Sequence, residues 1–196
     1  MTMDHLTRNG LVLLGCGKMG SAMLQGWLQQ GLPPTSVYVL DPNPSDWLKT
    51  TGVHLNADLP ASPAIVLVAV KPQMMGDALP RLQAMGNSET CFVSVAAGTP
   101  IAHFEAVLGA RTPIVRAMPN PPAAVGRGIT AIIGNDHVTA AALDLAADLL
   151  AAVGQVVRLD SEAQIDAVTG VSGSGPAYVF HLIETLAAAG TAQGLP

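Results

Sequence analysis

Aromatic side chains are scarce in this chain: Phe, Tyr and Trp together make up 4% of its 196 residues. The core therefore has to be built from Ala, Val, Leu, Ile and Met. Charge is thin as well. Only 12% of the residues are Asp, Glu, Lys or Arg, and 9 basic against 14 acidic groups leave a formal charge of −5. There is no basic run, the usual electrostatic footprint of a nucleic-acid-binding chain, so no nucleic-acid partner is expected. Two cysteines, Cys16 and Cys91, are too few for a disulfide scaffold. They fit a reducing cytosol, and a cytoplasmic protein is expected. The five histidines (His5, His54, His103, His137 and His181) have no metal-ligand spacing and the two cysteines lie far apart, so no metal is expected. No stretch reaches the roughly 18 uncharged apolar residues of a membrane span. The first ten residues include Asp4, His5 and Arg8 and lack an apolar signal core.

What the chain does have is apolar residues, 49% of the total, enough for one well-packed domain plus part of a second. They fall into short runs. Leu11–Leu14, Val37–Leu40, Ala64–Val70, Cys91–Val95 and Ile114–Met118 read as buried strands, with Gly128–Gly134 and Gln155–Leu159 as later ones. Between them the period changes. Met19, Met23 and Trp27 mark a helix over Lys18–Gln30, closed by Gly31 and Pro33-Pro34. Further helices are expected over Met74–Met85, over Ile101–Leu108, and between the last two strands, marked by Val138, Leu145, Leu149 and Val153. Strands alternating with amphipathic helices predict an α/β fold, a doubly wound, mainly parallel sheet of Rossmann type with helices on both faces. After Asp160 the pattern is helical only: Glu162–Thr169, a glycine-rich break, then Ala177–Ala189. A boundary near 160 divides a dinucleotide-binding domain, residues 1–160, from the beginning of an all-α domain, residues 161–196.

Gly15-Cys16-Gly17-Lys18-Met19-Gly20 fits G-x-G-x-x-G and lies where that motif has meaning, after the first strand and at the opening of a helix. Gly15 permits the tight turn, Gly17 lets the backbone approach a pyrophosphate, and Gly20 lets helix and strand pack closely. The helix N-terminus offers free N–H groups to the phosphates. About 20 residues further on, the second strand ends at Asp41, where an acid can accept from the adenosine ribose hydroxyls. It would repel a 2′-phosphate, and no Arg lies nearby, which leans toward NADH. The plainer reading of Asp41 is a turn residue before Pro42.

Three more segments carry a specific resemblance: Val68-Ala69-Val70-Lys71-Pro72-Gln73, Val115-Arg116-Ala117-Met118-Pro119-Asn120, and Asp166–Tyr178 with its Gly173-Ser174-Gly175-Pro176 core. With the glycine turn and Ala96-Ala97-Gly98, the chain from Leu11 to Pro196 resembles the pyrroline-5-carboxylate reductases, enzymes of the last step of proline biosynthesis. Pro121 departs from the pattern, since the family usually has Thr before Pro122; a proline there would stiffen the loop. The resemblance implies NADPH or NADH as cofactor. It is held by Gly15, Cys16, Gly17, Lys18, Met19 and Gly20, by Asp41 and Asn56, and by three strand ends: Ala69, Val70, Lys71 and Pro72; Ala96, Ala97 and Gly98; and Asn120. Pro72, Gly98 and Pro119 also read simply as strand stops. Lys71 reads as a ribose or solvent contact rather than a base, and Ser172 and Ser174 as a backbone turn rather than a nucleophile, because no G-x-S-x-G elbow surrounds them.

The implied reaction is hydride transfer to the C=N carbon of 1-pyrroline-5-carboxylate, giving L-proline. The resemblance puts Glu162 against the ring nitrogen, where a carboxylate favours the iminium form; the alternative is a solvated helix-start residue. Two other functions stay open. A 3-hydroxy-acid dehydrogenase of the same plan needs a lysine after the boundary, and Glu162–Pro196 has none. A dinucleotide-binding module without catalysis needs only the glycine turn. The helix 177–189 is apolar nearly all round, which predicts burial. The resemblance implies that the family continues with further helices interlocking with a second subunit. The expectation is therefore a shortened chain that forms homo-oligomers through its C-terminal helices and turns over substrate poorly.

Overall fold

A computed structural model describes residues 2–196; Met1 lies outside the described residues. Helix α1 (Thr2–Asn9) precedes strand β1 (Leu11–Leu14), and helix α2 (Lys18–Gln29) follows it. Then come β2 (Val37–Leu40), the short α3 (Asp46–Thr50), β3 (His54–Leu55) and β4 (Ile65–Val68). A one-turn α4 (Met75–Ala78), β5 (Cys91–Ser94), α5 (Ile101–Leu108) and β6 (Ile114–Met118) complete the first winding. β7 (Gly128–Gly134), α6 (Ala140–Leu150) and β8 (Gly154–Arg158) lead to α7 (Gln164–Val168) and α8 (Gly175–Ala192).

The strands form one sheet in the order β3-β2-β1-β4-β5-β6-β7-β8. All neighbours are parallel except β6 and β7. This is the expected doubly wound Rossmann-type sheet, with one reversal near its edge. The reversal follows from the connection: a short 3-10 turn over Pro121–Val125 is too short for a parallel crossover.

Strand residues alternate between two cores. Leu11, Leu13, Ile65, Leu67, Val93 and Val115 face Met23, Leu24 and Trp27 of α2 and Leu149 and Leu150 of α6. Val12, Leu14, Val66, Val68, Phe92 and Ile114 face Leu79, Leu82, Phe104 and Leu108. The Trp27 indole N–H donates to the Leu149 carbonyl at 2.8 Å, joining α2 to α6. Large apolar side chains buried in this way each contribute about 1.5–3 kcal/mol, which is how a chain with few aromatics holds a large sheet together.

Several elements differ from expectation. The helix expected over Met74–Met85 is broken into a 3-10 turn (Pro72–Met74), α4 and a second 3-10 run (Leu79–Met85). Pro80 lacks an N–H and cannot donate to an α ladder, which loses a bond there, although Leu79 before it keeps α geometry. The strand expected over Ala64–Val70 is only Ile65–Val68; the rest forms the loop that carries Lys71. The glycine-rich break after Thr169 is instead a π turn over Thr169–Gly173, with the Ser174 N–H donating to the Thr169 carbonyl at 2.9 Å. Helical backbone therefore continues from α7 into α8. A Cβ on Gly173 would lie 2.8 Å from the Met118 Cε, the flexible tip of that side chain. Among the described residues no helix is long and apolar enough to cross a membrane, and no group of three His, Cys, Asp or Glu is placed to hold a metal.

Candidate functional site

The C-terminal ends of β1, β4 and β5 open onto a groove of about 630 Å³. Its lining brings together Gly17, Lys18 and Met19, Ala69, Val70, Lys71 and Pro72, and Val95, Ala96 and Ala97. Ligands of open α/β sheets bind at this end. A larger cleft of about 770 Å³ lies at the opposite end, beside Ala64, Cys91 and Pro113, where β4, β5 and β6 begin. It has no glycine turn, and the smaller groove is the better candidate.

The glycine turn is built by close approach. Gly15 has φ +88°, and a Cβ on it would lie 2.8 Å from Val70 Cγ1 and 3.0 Å from the Ala69 carbonyl. A Cβ on Gly20 would lie 2.5 Å from the Gly15 carbonyl. Gly17 differs: no protein atom lies within 4 Å of where its Cβ would stand. Nothing inside the protein requires a glycine there, while a pyrophosphate laid against the backbone would. Gly17 is also the N-cap of α2, and no side chain caps that end. The first-turn N–H groups of this 12-residue helix are left for an anion. The residues present fit a nicotinamide dinucleotide.

Asp41 stands behind this turn. One carboxylate oxygen accepts from the Cys16 N–H at 2.7 Å and the other from the Asn43 N–H at 2.8 Å. Asn56, at φ +51°, brackets the same residue: its Oδ1 accepts from the Asp41 N–H at 2.9 Å and its Nδ2 donates to the Asp41 carbonyl at 2.8 Å. Asp41 is thus a turn residue that ties β2 to the glycine loop, and Asn56 works through it. Gly98, at φ +70°, follows the groove wall. The ammonium groups of Lys18 and Lys71 have no hydrogen bond or ion pair among the described residues. Burial pushes the Cys16 thiol above its ordinary value, with Asp41 adding to the effect and the Ser21 hydroxyl opposing it. Burial alone pushes Cys91 up to about 12. Burial thus favours the protonated thiol at both positions.

A second cluster involves Asn120 and Glu162, neither of which lines the groove. Asn120 is buried. Its Oδ1 accepts from the Ile129 N–H at 2.9 Å, and its Nδ2 reaches the Ser172 hydroxyl at 3.3 Å, pinning the π turn to the end of β6. Glu162 Oε1 accepts from two donors at 2.8 Å each, the Ile101 N–H that opens α5 and the Nη1 of Arg116. Arg116 also lies 3.8 Å from Asp166. Glu162 is therefore more than a solvated helix-start residue. Sequence reasoning named neither Arg116 nor Val95 as a site residue. The signal for Arg116 was a lone charge inside the apolar run Ile114–Met118; Val95 carried no signal beyond its place at a strand end.

Known proteins resemble the chain along nearly its whole length. Residues 162–196 match the family description "pyrroline-5-carboxylate reductase dimerisation", and residues 10–98 match "NADP oxidoreductase coenzyme F420-dependent". A pyrroline-5-carboxylate reductase from Pseudomonas aeruginosa is 40% identical over 94% of this chain and 70% of its own length. Among solved structures, the pyrroline-5-carboxylate reductase of Coxiella burnetii is 31% identical with a TM-score of 0.88, covering 96% of this chain and 72% of that one. The Plasmodium falciparum pyrroline carboxylate reductase, solved with NADP bound, is 27% identical with a TM-score of 0.84, over 97% and 72% of the two chains. The chain spans 66–70% of the length of the first curated relatives it matches.

Proposed function

The chain belongs to the pyrroline-5-carboxylate reductase family, and from that premise we propose that it binds NADPH or NADH in the groove beside the glycine turn and serves the reduction of 1-pyrroline-5-carboxylate to L-proline. The single observation that carries this reading is the open space at Gly17, beside an uncapped helix N-terminus. The bound reduced dinucleotide supplies a hydride to the C=N carbon of the substrate.

The protein's part is placement. Gly15–Gly20 receive the pyrophosphate through backbone N–H groups. Ala69–Pro72 and Ala96–Gly98 offer small or flat surfaces at the strand ends, so two rings can lie face to face with water excluded. Asp41 and Asn56 hold the turn in shape. Glu162, a carboxylate, favours the protonated imine electrostatically. Residues 1–160 act as the dinucleotide-binding part. Residues 161–196 act in the substrate-side and subunit-contact part, a role supported by the family description matched there and by the exposed apolar side chains of α8. Two buried free thiols suit a reducing compartment such as the cytoplasm.

The test follows absorbance of the reduced cofactor with NADH and NADPH, each with and without 1-pyrroline-5-carboxylate. Slow oxidation that depends on that substrate is expected. Dinucleotide binding without any substrate-dependent oxidation would reduce the chain to a binding module, and no dinucleotide binding would overturn the whole reading.

A further inference from the structure

The cleft of about 770 Å³ where β4, β5 and β6 begin takes no part in holding the dinucleotide. β4 and β5 carry the cofactor groove on their far ends, about 13 Å away along strands of four residues. The volume lies within the range of about 300–1,000 Å³ of small-molecule sites. Small side chains make the space. Ala64, Cys91 and Pro113 form the floor, and Ala141 and Ala142, in the first turn of α6, form a wall. Further along the same helix, Leu149 and Leu150 are packed into the core beneath the sheet.

The rim is charged. Glu89 and Arg111 both line the cleft. Each stands three residues before a member of the β5–β6 register pair Phe92 and Ile114, so they lie on neighbouring strand approaches. The Arg111 backbone is fixed, its N–H donating to Asn87 Oδ1 at 2.9 Å. Yet the guanidinium and the Glu89 carboxylate form no ion pair with each other, and neither makes a side-chain hydrogen bond among the described residues. The other carboxylate on the cleft, Asp144, is held by Arg158 at 2.6 Å. His5 and His137 add ring nitrogens to the rim. Among the described residues the cleft thus offers a free guanidinium, a free carboxylate and an apolar floor.

We propose that this cleft binds a small zwitterion with an apolar body. Its carboxylate meets the Arg111 fork, which suits bidentate pairing. Its ammonium meets Glu89, and its apolar part covers Ala64, Cys91 and Pro113. A simple anion or cation would satisfy one of the two charged groups and be repelled by the other; a ligand that brings both charges satisfies both. A free apolar amino acid and a short apolar peptide share this chemistry. The site is independent of the cofactor groove and of the reductase reading.

Ligand-observed NMR titrations of the full chain with L-leucine and with L-leucyl-L-leucine test it. Saturable binding of either is expected, and the tighter of the two identifies the source. The amide of that ligand lacks the carboxylate, and its N-acetyl form lacks the ammonium. Each should bind about tenfold or more weakly, the size of one charge-assisted hydrogen bond. Arg111→Met should weaken the parent ligand by a similar factor and abolish discrimination against the amide. Glu89→Gln should do the same for the N-acetyl form, because each pair of changes removes one contact. Ala141→Trp, at an exposed position on the wall, should block binding by filling the cleft. The capped ligands need no variant, so they decide the matter even where a substitution fails to fold. Absence of saturable binding, equal affinity for the charged and capped forms, or binding that survives Ala141→Trp would overturn the proposal. So would loss of binding on replacing Phe180 and Ile183 with Glu, which would move the ligand to α8.

Discussion

At the scale of single residues, function and stability separate most cleanly at Gly17. A Cβ there meets open space beyond its chain neighbours, so the cost of a valine to folding is mainly a poorer N-cap, about 1 kcal/mol, or about 2–4 °C in Tm for a chain of this size. The side chain would fill pyrophosphate space. Gly17→Val is therefore expected to weaken NADPH binding at least about 100-fold, some 2.7 kcal/mol. A fluorescence titration beside a thermal melt checks both halves, and unchanged affinity would remove the glycine turn from the mechanism. Cys91 gives the opposite case, a residue with consequences for stability alone. Its thiol is raised from 9.0 to about 12 by burial. A raised folded value means the stabilisation is whole below about pH 9 and is lost as the pH climbs through about 12. Cys91→Ala should flatten the alkaline fall in urea-unfolding free energy, and a slope identical to the wild type would refute this.

The elements were legible where an apolar run and its stop coincide. β1, β2, β6 and β7 have the bounds their sequences announce, because a strand buried on both faces leaves a continuous run of Leu, Val and Ile. The two-residue β3 and the five-residue α3 were not named. Neither is long enough to display a period, although Ser45, whose hydroxyl accepts from the Leu48 N–H at 3.2 Å, is an N-cap that could have flagged α3. The fingerprint glycines were readable for the same local reason. The Arg116–Glu162 pair was not, since its members are brought together only by the reversed β7. Asp41 falls between these cases. Its position was readable, but its engagement with the Cys16 and Asn43 N–H groups was not, because that depends on how two loops meet. Asp41→Ala is accordingly expected to weaken both NADH and NADPH by loosening the loop. It should weaken NADH more, since removing the carboxylate also removes the repulsion of a 2′-phosphate. Paired titrations measure the ratio; if it does not change, Asp41 acts on the loop alone.

Over the whole molecule, the imbalance lies in α8. Tyr178, Phe180, Leu182 and Leu186 are between 59% and 65% exposed, on a helix whose apolar residues occupy every face. Apolar patches of this kind rarely stay solvated, so the chain is expected to self-associate. Replacing Phe180 and Ile183 with Glu, one turn apart on the same side, should shift sedimentation toward the monomer; a wild-type profile in the double variant would exclude α8 as the contact. The π turn at Thr169–Gly173 sets which side chains that contact uses. A π turn is one residue too many for an α ladder, and each residue of α-helix advances the azimuth by about 100°. It therefore absorbs that residue within one turn and keeps α8 in phase with α7, which is anchored on the sheet; an unbroken α ladder through the same residues would turn α8 by about 100°. Deleting Gly170, whose missing Cβ faces open space, would let the two helices close into one unbroken ladder. Because the π turn already spans about the angle of an α turn, the side chains of α8 would then keep about their present bearing. Helix content by circular dichroism should hold, and so should the self-association of the chain, because the apolar face keeps its bearing, whereas inserting an alanine after Thr185 should weaken it by turning the rest of α8 about 100°. An insertion variant that associates as tightly as the parent would mean that the phase of this helix carries no information.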